Sequence, residues 1–345
     1  MPGVWREFGG YSPVLRVDYG GLIRREPMLY CGPQTLRVQC PISKQASQFM
    51  PKFSTIGLVG RPGHSGVVDS LNRLLAFLGA REVTVILDAE TADLLDSPGV
   101  MRCPRGELSG NCDLVIVVGG DGSMLNVAKT MASDQVPVIG VNRGKLGFLT
   151  DILPEELETR IGEVLDGEFS VEKRFLLDLF LRDTEHETFL GSALNDVVLH
   201  PGKAAQMIEF ELFVNDNFVY SQESDGLIVA TPTGSTAYSL SAGGPIMHPD
   251  LDAVVLVPMY PHALSSRPIV VGGDSEVCLR VAGKGKLQPL LSCDGQERYS
   301  ANANDVFVVR KKTVALTMLH PPSYSFYQAC RSKLGWSNRL VRADD

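Results

Sequence analysis

Asp113-Leu-Val-Ile-Val-Val-Gly-Gly-Asp-Gly-Ser-Met-Leu-Asn-Val-Ala-Lys129 sets one carboxylate among three glycines, where a continuous apolar run gives way to a helical pattern. Leu114 to Val118 are apolar and mostly β-branched, as in a parallel strand covered on both faces; Met124, Leu125 and Ala128 then recur at helical spacing. Asp121 is therefore expected at the carboxyl end of a strand. Ligands of open α/β sheets settle in that crevice. Gly119, Gly120 and Gly122 would let the backbone approach a phosphate while the first helical N–H groups point outward.

The same alternation extends to either side. Thr55 to Val59 reads as a strand, Val67, Leu71, Leu74, Leu75 and Leu78 follow at helical spacing with Gly79 as the expected stop, and Glu82 to Leu87 and Val136 to Val141 read as further strands. Strands alternating with helices predict a doubly wound parallel sheet. After about Pro154 the pattern changes to successive strand candidates: Val171 to Leu181, Thr188 to Leu199, Ile208 to Val214, Leu227 to Ala230, Val254 to Val257, Val277 to Val281 and Val306 to Val309. Asn215-Asp216-Asn217 suits a tight hairpin turn between two of them. The fold class expected is α/β, a doubly wound parallel-sheet N-terminal domain plus a β-rich second domain.

With 345 residues the chain exceeds the usual single-domain size, and its 44% hydrophobic and 21% charged residues describe an ordinary globular protein. A formal net charge of −8 disfavours nucleic acid as a partner, and Arg24-Arg25, Lys284-Gly-Lys286 and Arg310-Lys-Lys312 are too short and scattered to reverse it. Seven cysteines without a C-x-x-C pair read as reduced thiols, hence a cytoplasmic setting. No apolar run approaches the length of a membrane span, and no signal pattern opens the chain. Residues 1–51 carry no sustained periodicity.

Asp121 is the leading catalytic candidate, because phosphoryl transfer needs alignment, charge stabilisation and one carboxylate to take the proton of an attacking hydroxyl. Read alone, the same residue also fits an Asp that closes a turn or caps a helix. A second constellation runs from Ser224 to Pro245, where a short apolar strand enters the hydroxyl-rich Thr231-Pro-Thr-Gly-Ser-Thr-Ala-Tyr238. Thr233, Ser235 and Thr236 are able to donate to phosphate or sugar oxygens, Tyr238 to stack, and Gly243-Gly244-Pro245 to end a short helix; a turn of self-satisfied hydroxyls is the alternative. Asn195-Asp196 puts two polar side chains inside an apolar segment, whose partners are either ribose hydroxyls or a β-bulge and neighbouring backbone. Lys203 reads better as solvated than as a phosphate ligand. Gly140 to Leu146 is one residue too short for a P-loop, no G-x-G-x-x-G follows a strand, and neither H-E-x-x-H nor G-x-S-x-G occurs, so no metal-ligating residues are assigned. His262 reads as structural.

From about Lys52 to Leu340 the chain resembles bacterial NAD kinases. The resemblance rests on Gly119-Gly-Asp-Gly122, Asn142-Arg-Gly-Lys-Leu-Gly-Phe-Leu149, Asn195-Asp196, the Asp225 to Ile246 segment, Val257-Pro-Met-Tyr-Pro-His262, Ser292-Cys-Asp-Gly-Gln296 and Lys333-Leu-Gly-Trp336. It implies phosphorylation of the 2′-hydroxyl on the adenosine ribose of NAD by ATP, with Mg²⁺ or another divalent ion neutralising the triphosphate and Asp121 as general base. Gly119, Gly120 and Gly122 then belong to the phosphate turn, and Asn195 and Asp196 hold ribose or diphosphate groups. Asp225 with Thr236, Ala237, Tyr238, Ser239, Leu240 and Ser241 binds bases and sugars, and Gln206 and Gln296 occupy further contact positions. The implied organisation is an N-terminal extension over 1–52, disordered or a start codon placed too early, an α/β domain over 53–153 with 320–345, and a β-rich substrate-binding domain over 154–319. A homo-oligomer, dimer or tetramer, is implied, with neither membrane nor nucleic acid as partner.

Two positions depart from the pattern. Asp196 stands where many members have glutamate, a longer side chain of the same charge. Glu223 stands where related enterobacterial enzymes carry a basic residue, so a phosphate contact there turns repulsive and the choice between NAD and NADH is left open. The alternatives are a lipid kinase sharing the glycine turn, which should lack the hydroxyl cradle, and a nucleotide-sensing protein without turnover, against which Asp121 argues.

Overall fold

The computed structural model describes residues 53–61, 63, 66–95, 97, 99–143, 147–202, 207–282 and 288–336, so the extension over 1–52, Lys203 and Gln206 lie outside the described residues. Five parallel strands form its first half: β1 (Thr55–Gly60), β2 (Thr84–Asp88), β3 (Met101–Cys103), β4 (Leu114–Gly119) and β5 (Val138–Asn142). They lie in the order β3-β2-β1-β4-β5. β4 shows why its residues form a strand with no polar face. Leu114, Ile116 and Val118 pack with helix α1 (Val67–Ala80) and helix α5 (Leu157–Leu165), while Val115 and Val117 pack with helix α4 (Asp121–Ser133) on the other face. Covering both faces makes the sheet doubly wound. Two one-turn helices, α2 (Ala89–Ala92) and α3 (Arg105–Leu108), flank β3. The strand order reverses direction between β1 and β4, and ligands of such sheets bind outside the strand ends at that switch point.

Helix α1 runs one residue past its expected stop. Gly79 lies inside it, and the left-handed turn that closes it falls on Glu82 at φ 57°, with Val83 N–H donating to the Leu78 carbonyl. Glu82 is thus helix closure, and the strand begins at Thr84.

The second half is a β-sandwich. Its first layer continues the parallel sheet through β17 (Val306–His320), which pairs with β5 at Met318↔Val138, then β14 (Val277–Val281), β9 (Ile208–Val214) and β10 (Asn217–Ser224). β6 (Ser170–Arg182) also lies along β17 and carries β7 (Glu187–Ala193) at its side. The second layer is antiparallel, in the order β13-β12-β11-β8-β15-β16, formed by β8 (Asp196–His200), β11 (Gly226–Ala230), β12 (Ala253–Met259), β13 (Ile269–Gly272), β15 (Leu290–Cys293) and β16 (Glu297–Ser300). Inward residues of both layers, Phe210, Leu212, Phe307 and Leu279 against Val197, Leu199, Leu227 and Leu256, form one core. The hairpin after β9 turns on Asn215 and Asp216 at φ 49° and 61°, the two positive values of a type I′ turn. The short helix α6 (Tyr238–Ser241) sits at the end of the Ser224 to Pro245 segment, followed by Gly243 at φ 87°.

Two expectations need correction. Thr188 to Leu199 is not one strand but two, β7 and β8, which belong to different layers. Val306 to Val309 is only the start of β17, which continues for 15 residues in all, past an irregularity between Lys311 and Ala315. The last helix, α7 (Phe326–Leu334), buries Phe326, Ala329 and Cys330 against Phe148, beyond β5, and so returns the chain's end to the first half. Among the described residues no helix is long and apolar enough to cross a membrane.

Phe210 is fully buried in the sandwich core. Phe210→Ala should lower unfolding stability by about 3–5 kcal/mol, read as a lower urea midpoint.

Candidate active site

Asp121 opens α4 directly after β4, at the switch point of the parallel sheet. Its carboxylate is bound by the loop after β5: Phe148 N–H donates to Oδ2 and Leu149 N–H to Oδ1, each at 3.0 Å, and the Thr150 hydroxyl lies 3.4 Å from Oδ1. Gly147 makes this approach possible, because a Cβ there would lie 2.0 Å from Asp121 Oδ1. Lys333 of α7 comes from the far end of the chain to within 3.4 Å of Oδ2. At Gly120 a Cβ would meet no protein atom within 4 Å, so the turn faces open space.

The second focus is the crossover between β7 and β8. Asp294 is its anchor: its carboxylate accepts the N–H groups of Leu194 at 2.9 Å, Asn195 at 2.8 Å and Asp196 at 3.3 Å. From the opposite side Thr231 N–H donates to the Asn195 carbonyl and the Thr231 hydroxyl to the Leu194 carbonyl. Gly234 lies against Asn195 so closely that a Cβ would sit 2.0 Å from its carbonyl oxygen. The crossover is therefore no β-bulge but a clamped switch of layers, which sets Asn195 and Asp196 at a fixed place.

Two cavities meet there. The larger, about 520 Å³, is lined among others by Asn195, Asp196, Asp225, Ala237, Tyr238, Asp294 and Arg298. The smaller, about 210 Å³, is lined by Asp121, Phe148, Leu149, Asn195, Thr233, Thr236, Ala237, Lys333 and Leu334. Asn195 and Ala237 are walls of both. A volume of 520 Å³ lies in the range of small-molecule sites. Burial, reinforced by the nearby Asp294 carboxylate, pushes Asp196 up to about 7. Asp294 is also raised by burial, against three backbone N–H groups that oppose the shift. His200, another wall of the larger cavity, is held below its ordinary value by burial and by the charge of Arg298.

The other expected residues divide. The hydroxyls of the 231–236 turn are largely spent within the protein: Ser235 donates to the Pro232 carbonyl and accepts from Met247 N–H, Thr236 donates to the Thr233 carbonyl, and Thr233 accepts from the buried Arg174. Thr236 and Tyr238 nevertheless wall the smaller and larger cavities respectively. Ser239 is buried, Leu240 is half-buried and Ser241 exposed, and none of the three lines either cavity. Gln296 is exposed and bound to Asn126 of α4 at 2.7 Å. Glu223 is exposed on β10 between the buried Gln222 and Ser224, and it lines neither cavity. Gly119 is buried at the end of β4, Gly122 exposed in α4. Three contributors were not singled out by their sequence: Asp294, Arg298 and Lys333. Asp294 and Lys333 stand in two of the quoted motifs, but their roles depend on contacts about 100 and 212 positions away.

Two family profiles match the chain: that of the ATP-NAD kinase N-terminal domain over residues 56–169 and that of the ATP-NAD kinase C-terminal domain over residues 194–320. Similar proteins include the NAD kinases of Chromohalobacter salexigens, 56% identical over 84% of this chain and 99% of that one, and of Azotobacter vinelandii, 55% identical over the same shares. Among solved structures, yeast NADH kinase complexed with NADH is similar with a TM-score of 0.76 and 25% identity, over 85% of this chain and 91% of the other. An NAD kinase from Archaeoglobus fulgidus in complex with ATP is similar with a TM-score of 0.62 and 25% identity, over 81% of this chain and 97% of the other.

Because Asp196 titrates near 7 when folded and near its ordinary value when unfolded, the folded chain holds the extra proton between about pH 4 and 7. Stability contributed by this group therefore falls as pH rises through that window. Asp196→Asn should raise the melting temperature relative to the parent at pH 8, with the gap closing towards pH 4; a pH-independent gap would contradict it.

Proposed function

The chain belongs to the NAD kinase family of phosphoryl-transferring enzymes, and from that premise we propose that it moves the terminal phosphoryl group of ATP to the 2′-hydroxyl of the adenosine ribose of NAD, giving NADP. The observation that carries this reading is the junction of the two cavities, one nucleoside-sized and walled by carboxylates, the other small and walled by Asp121. Asp196, Asp225 and Asp294 in the first suit a ligand end rich in donors, such as ribose hydroxyls and an adenine amino group. A ribose placed against Asn195 and Ala237 would present a hydroxyl across the shared wall to Asp121. Asp121 then serves as general base: its carboxylate takes the 2′-hydroxyl proton as oxygen attacks the terminal phosphorus of ATP. The backbone N–H groups of Phe148 and Leu149 hold that carboxylate in one orientation, so little reorganisation is needed when the hydroxyl arrives. The glycine turn leaves room for phosphate oxygens at the N-terminus of α4.

Among the described residues no three His, Cys, Asp or Glu side chains converge on a metal-sized centre. A Mg²⁺ ion would enter with ATP, held mainly by phosphate oxygens and water, with Asp121 as the carboxylate of the small cavity's wall. It would supply charge neutralisation for the triphosphate. The thiols at Cys103, Cys112, Cys278, Cys293 and Cys330, none in a disulfide, suit a reducing cytoplasm.

Purified protein should form NADP from ATP and NAD, and Asp121→Asn should lower kcat by roughly 10²- to 10⁴-fold while changing NAD affinity little. Undiminished turnover in the variant would remove Asp121 from the base role. The exposed Tyr260 and Leu264, 80% and 94% accessible, lie in the loop that binds edge strand β10 through His262 N–H to the Glu223 carbonyl and Ser266 to Gln222. On this apolar rim we expect a dimer or tetramer by light scattering at micromolar concentration; a monomer there would refute it.

A further inference from the structure

We propose that Lys333, carried by α7, is a catalytic residue: its ammonium group leaves the Asp121 carboxylate on substrate entry and binds the phosphoryl group in transit. The inference rests on the reaction proposed above and adds a residue to it. Its first ground is placement. α7 is pinned by Ser325 at its N-cap, by Phe326, Ala329 and Cys330 packed on Phe148, and by Gly335 in the left-handed region at φ 69°. Lys333 follows Ala329 by four positions and Cys330 by three, which puts all three on one helix face. Docking of that face therefore delivers the lysine to the small cavity, with Nζ 5.4 Å from the centre of the Phe148 ring.

The second ground is the quality of its contact. The Asp121 carboxylate already accepts two backbone N–H groups at 3.0 Å. The Lys333 contact is 3.4 Å, longer than the 2.7–2.9 Å or so of a strong charge-assisted hydrogen bond. The carboxylate is held in place without it, and a flexible four-carbon stem lets the ammonium move by a rotamer change. The third ground is charge. Of the described residues walling the small cavity, Lys333 is the cationic one. Arg174, behind Thr233, is 3% exposed and bonded to Thr233 and paired with Glu172, so it is not free to follow a moving phosphate.

The step balances without further reactants. The 2′-oxygen forms a bond to the terminal phosphorus, the bond from that phosphorus to the bridging oxygen of ADP breaks, and the 2′-hydroxyl proton passes to Asp121. Lys333 keeps its protons throughout and hydrogen-bonds the equatorial oxygens, on which negative charge is spread in the transition state. Parked on Asp121 before substrate arrives, the same ammonium neutralises a partly buried carboxylate.

The test compares wild type, Lys333→Met and Lys333→Arg in steady-state turnover with NAD and MgATP. Lys333→Met keeps the stem over Phe148 and should lower kcat roughly 10²- to 10³-fold, with KM for NAD within about threefold. Lys333→Arg should regain part of the loss, and Lys333→Met should lower kcat further in the Asp121→Asn background too, because the ammonium acts on the phosphoryl group; a double variant no slower than Asp121→Asn would overturn that contact. A kcat for Lys333→Met within about threefold of wild type overturns the proposal, as does a loss confined to KM for NAD. Thermal unfolding of each variant separates chemistry from docking, and if Lys333→Met melts several degrees lower, Lys333→Gln decides by the same criterion. Failure of wild type itself to form NADP would overturn the reading of the reaction, an outcome distinct from an active wild type whose lysine is dispensable.

Discussion

The crossover at Leu194, Asn195 and Asp196 is the constraint on which the rest of the site depends. There the chain leaves the continuous sheet for the second layer of the sandwich, and three backbone N–H groups in succession find no strand partner. Buried donors need acceptors, and one carboxylate, Asp294, supplies all three. Thr231 secures the two carbonyls on the other side, and Gly234 is small enough to lie against them. These contacts tie the end of β7, the start of β8, the end of β11 and the turn after β15 into one knot. Both cavities share a wall at that knot, so its rigidity fixes Asn195 between the larger cavity and Asp121.

A second consequence of the knot is electrostatic. Asp294 cannot hold three N–H groups without bringing its charge near Asp196, and burial adds to the cost of ionising the pair. A carboxyl poised near 7 is both donor and acceptor in the neutral range, which suits a sugar hydroxyl that presents both functions. The fold thus spends some stability above neutral pH on a group it keeps at the centre of the site.

Legibility in the sequence followed burial and chain distance. β4, β9, β11 and β14 were readable because each is an apolar or alternating run bounded by turn residues. β10, with Ser221, Gln222, Glu223 and Ser224 in succession, has no such pattern, and β13, β15 and β16 are four residues each. β17 hid its length because Lys311 and Lys312 interrupt the apolar pattern, and they sit in the strand by pairing with Asp252 and Asp178. Within the site, Asp121, Asn195, Asp196 and Asp225 stood out as polar groups next to apolar strands. Ser239 and Ser241 share the same hydroxyl-rich run as Thr236, but a one-turn helix sends one inward and the other to solvent. Asp294 acts on backbone and Lys333 across the whole chain, and neither kind of contact leaves a local pattern.

The two cavities differ in charge: Asp196, Asp225 and Asp294 outnumber Arg298 in the larger, while Asp121 and Lys333 balance in the smaller. NAD carries its negative charge on the diphosphate, ATP on the triphosphate; a wall holding Asp196, Asp225 and Asp294 disfavours both, more strongly as rising pH ionises Asp196. On the proposed reading, phosphates would be driven towards Arg298 at the exposed edge or towards the glycine turn and Lys333, and the uncharged base and sugar would occupy the acidic interior. Such sorting needs no contact specific to one ligand. It follows from where the knot had to put its carboxylate, and on the proposed reading it would bring the sugar, rather than a phosphate, to the wall nearest Asp121.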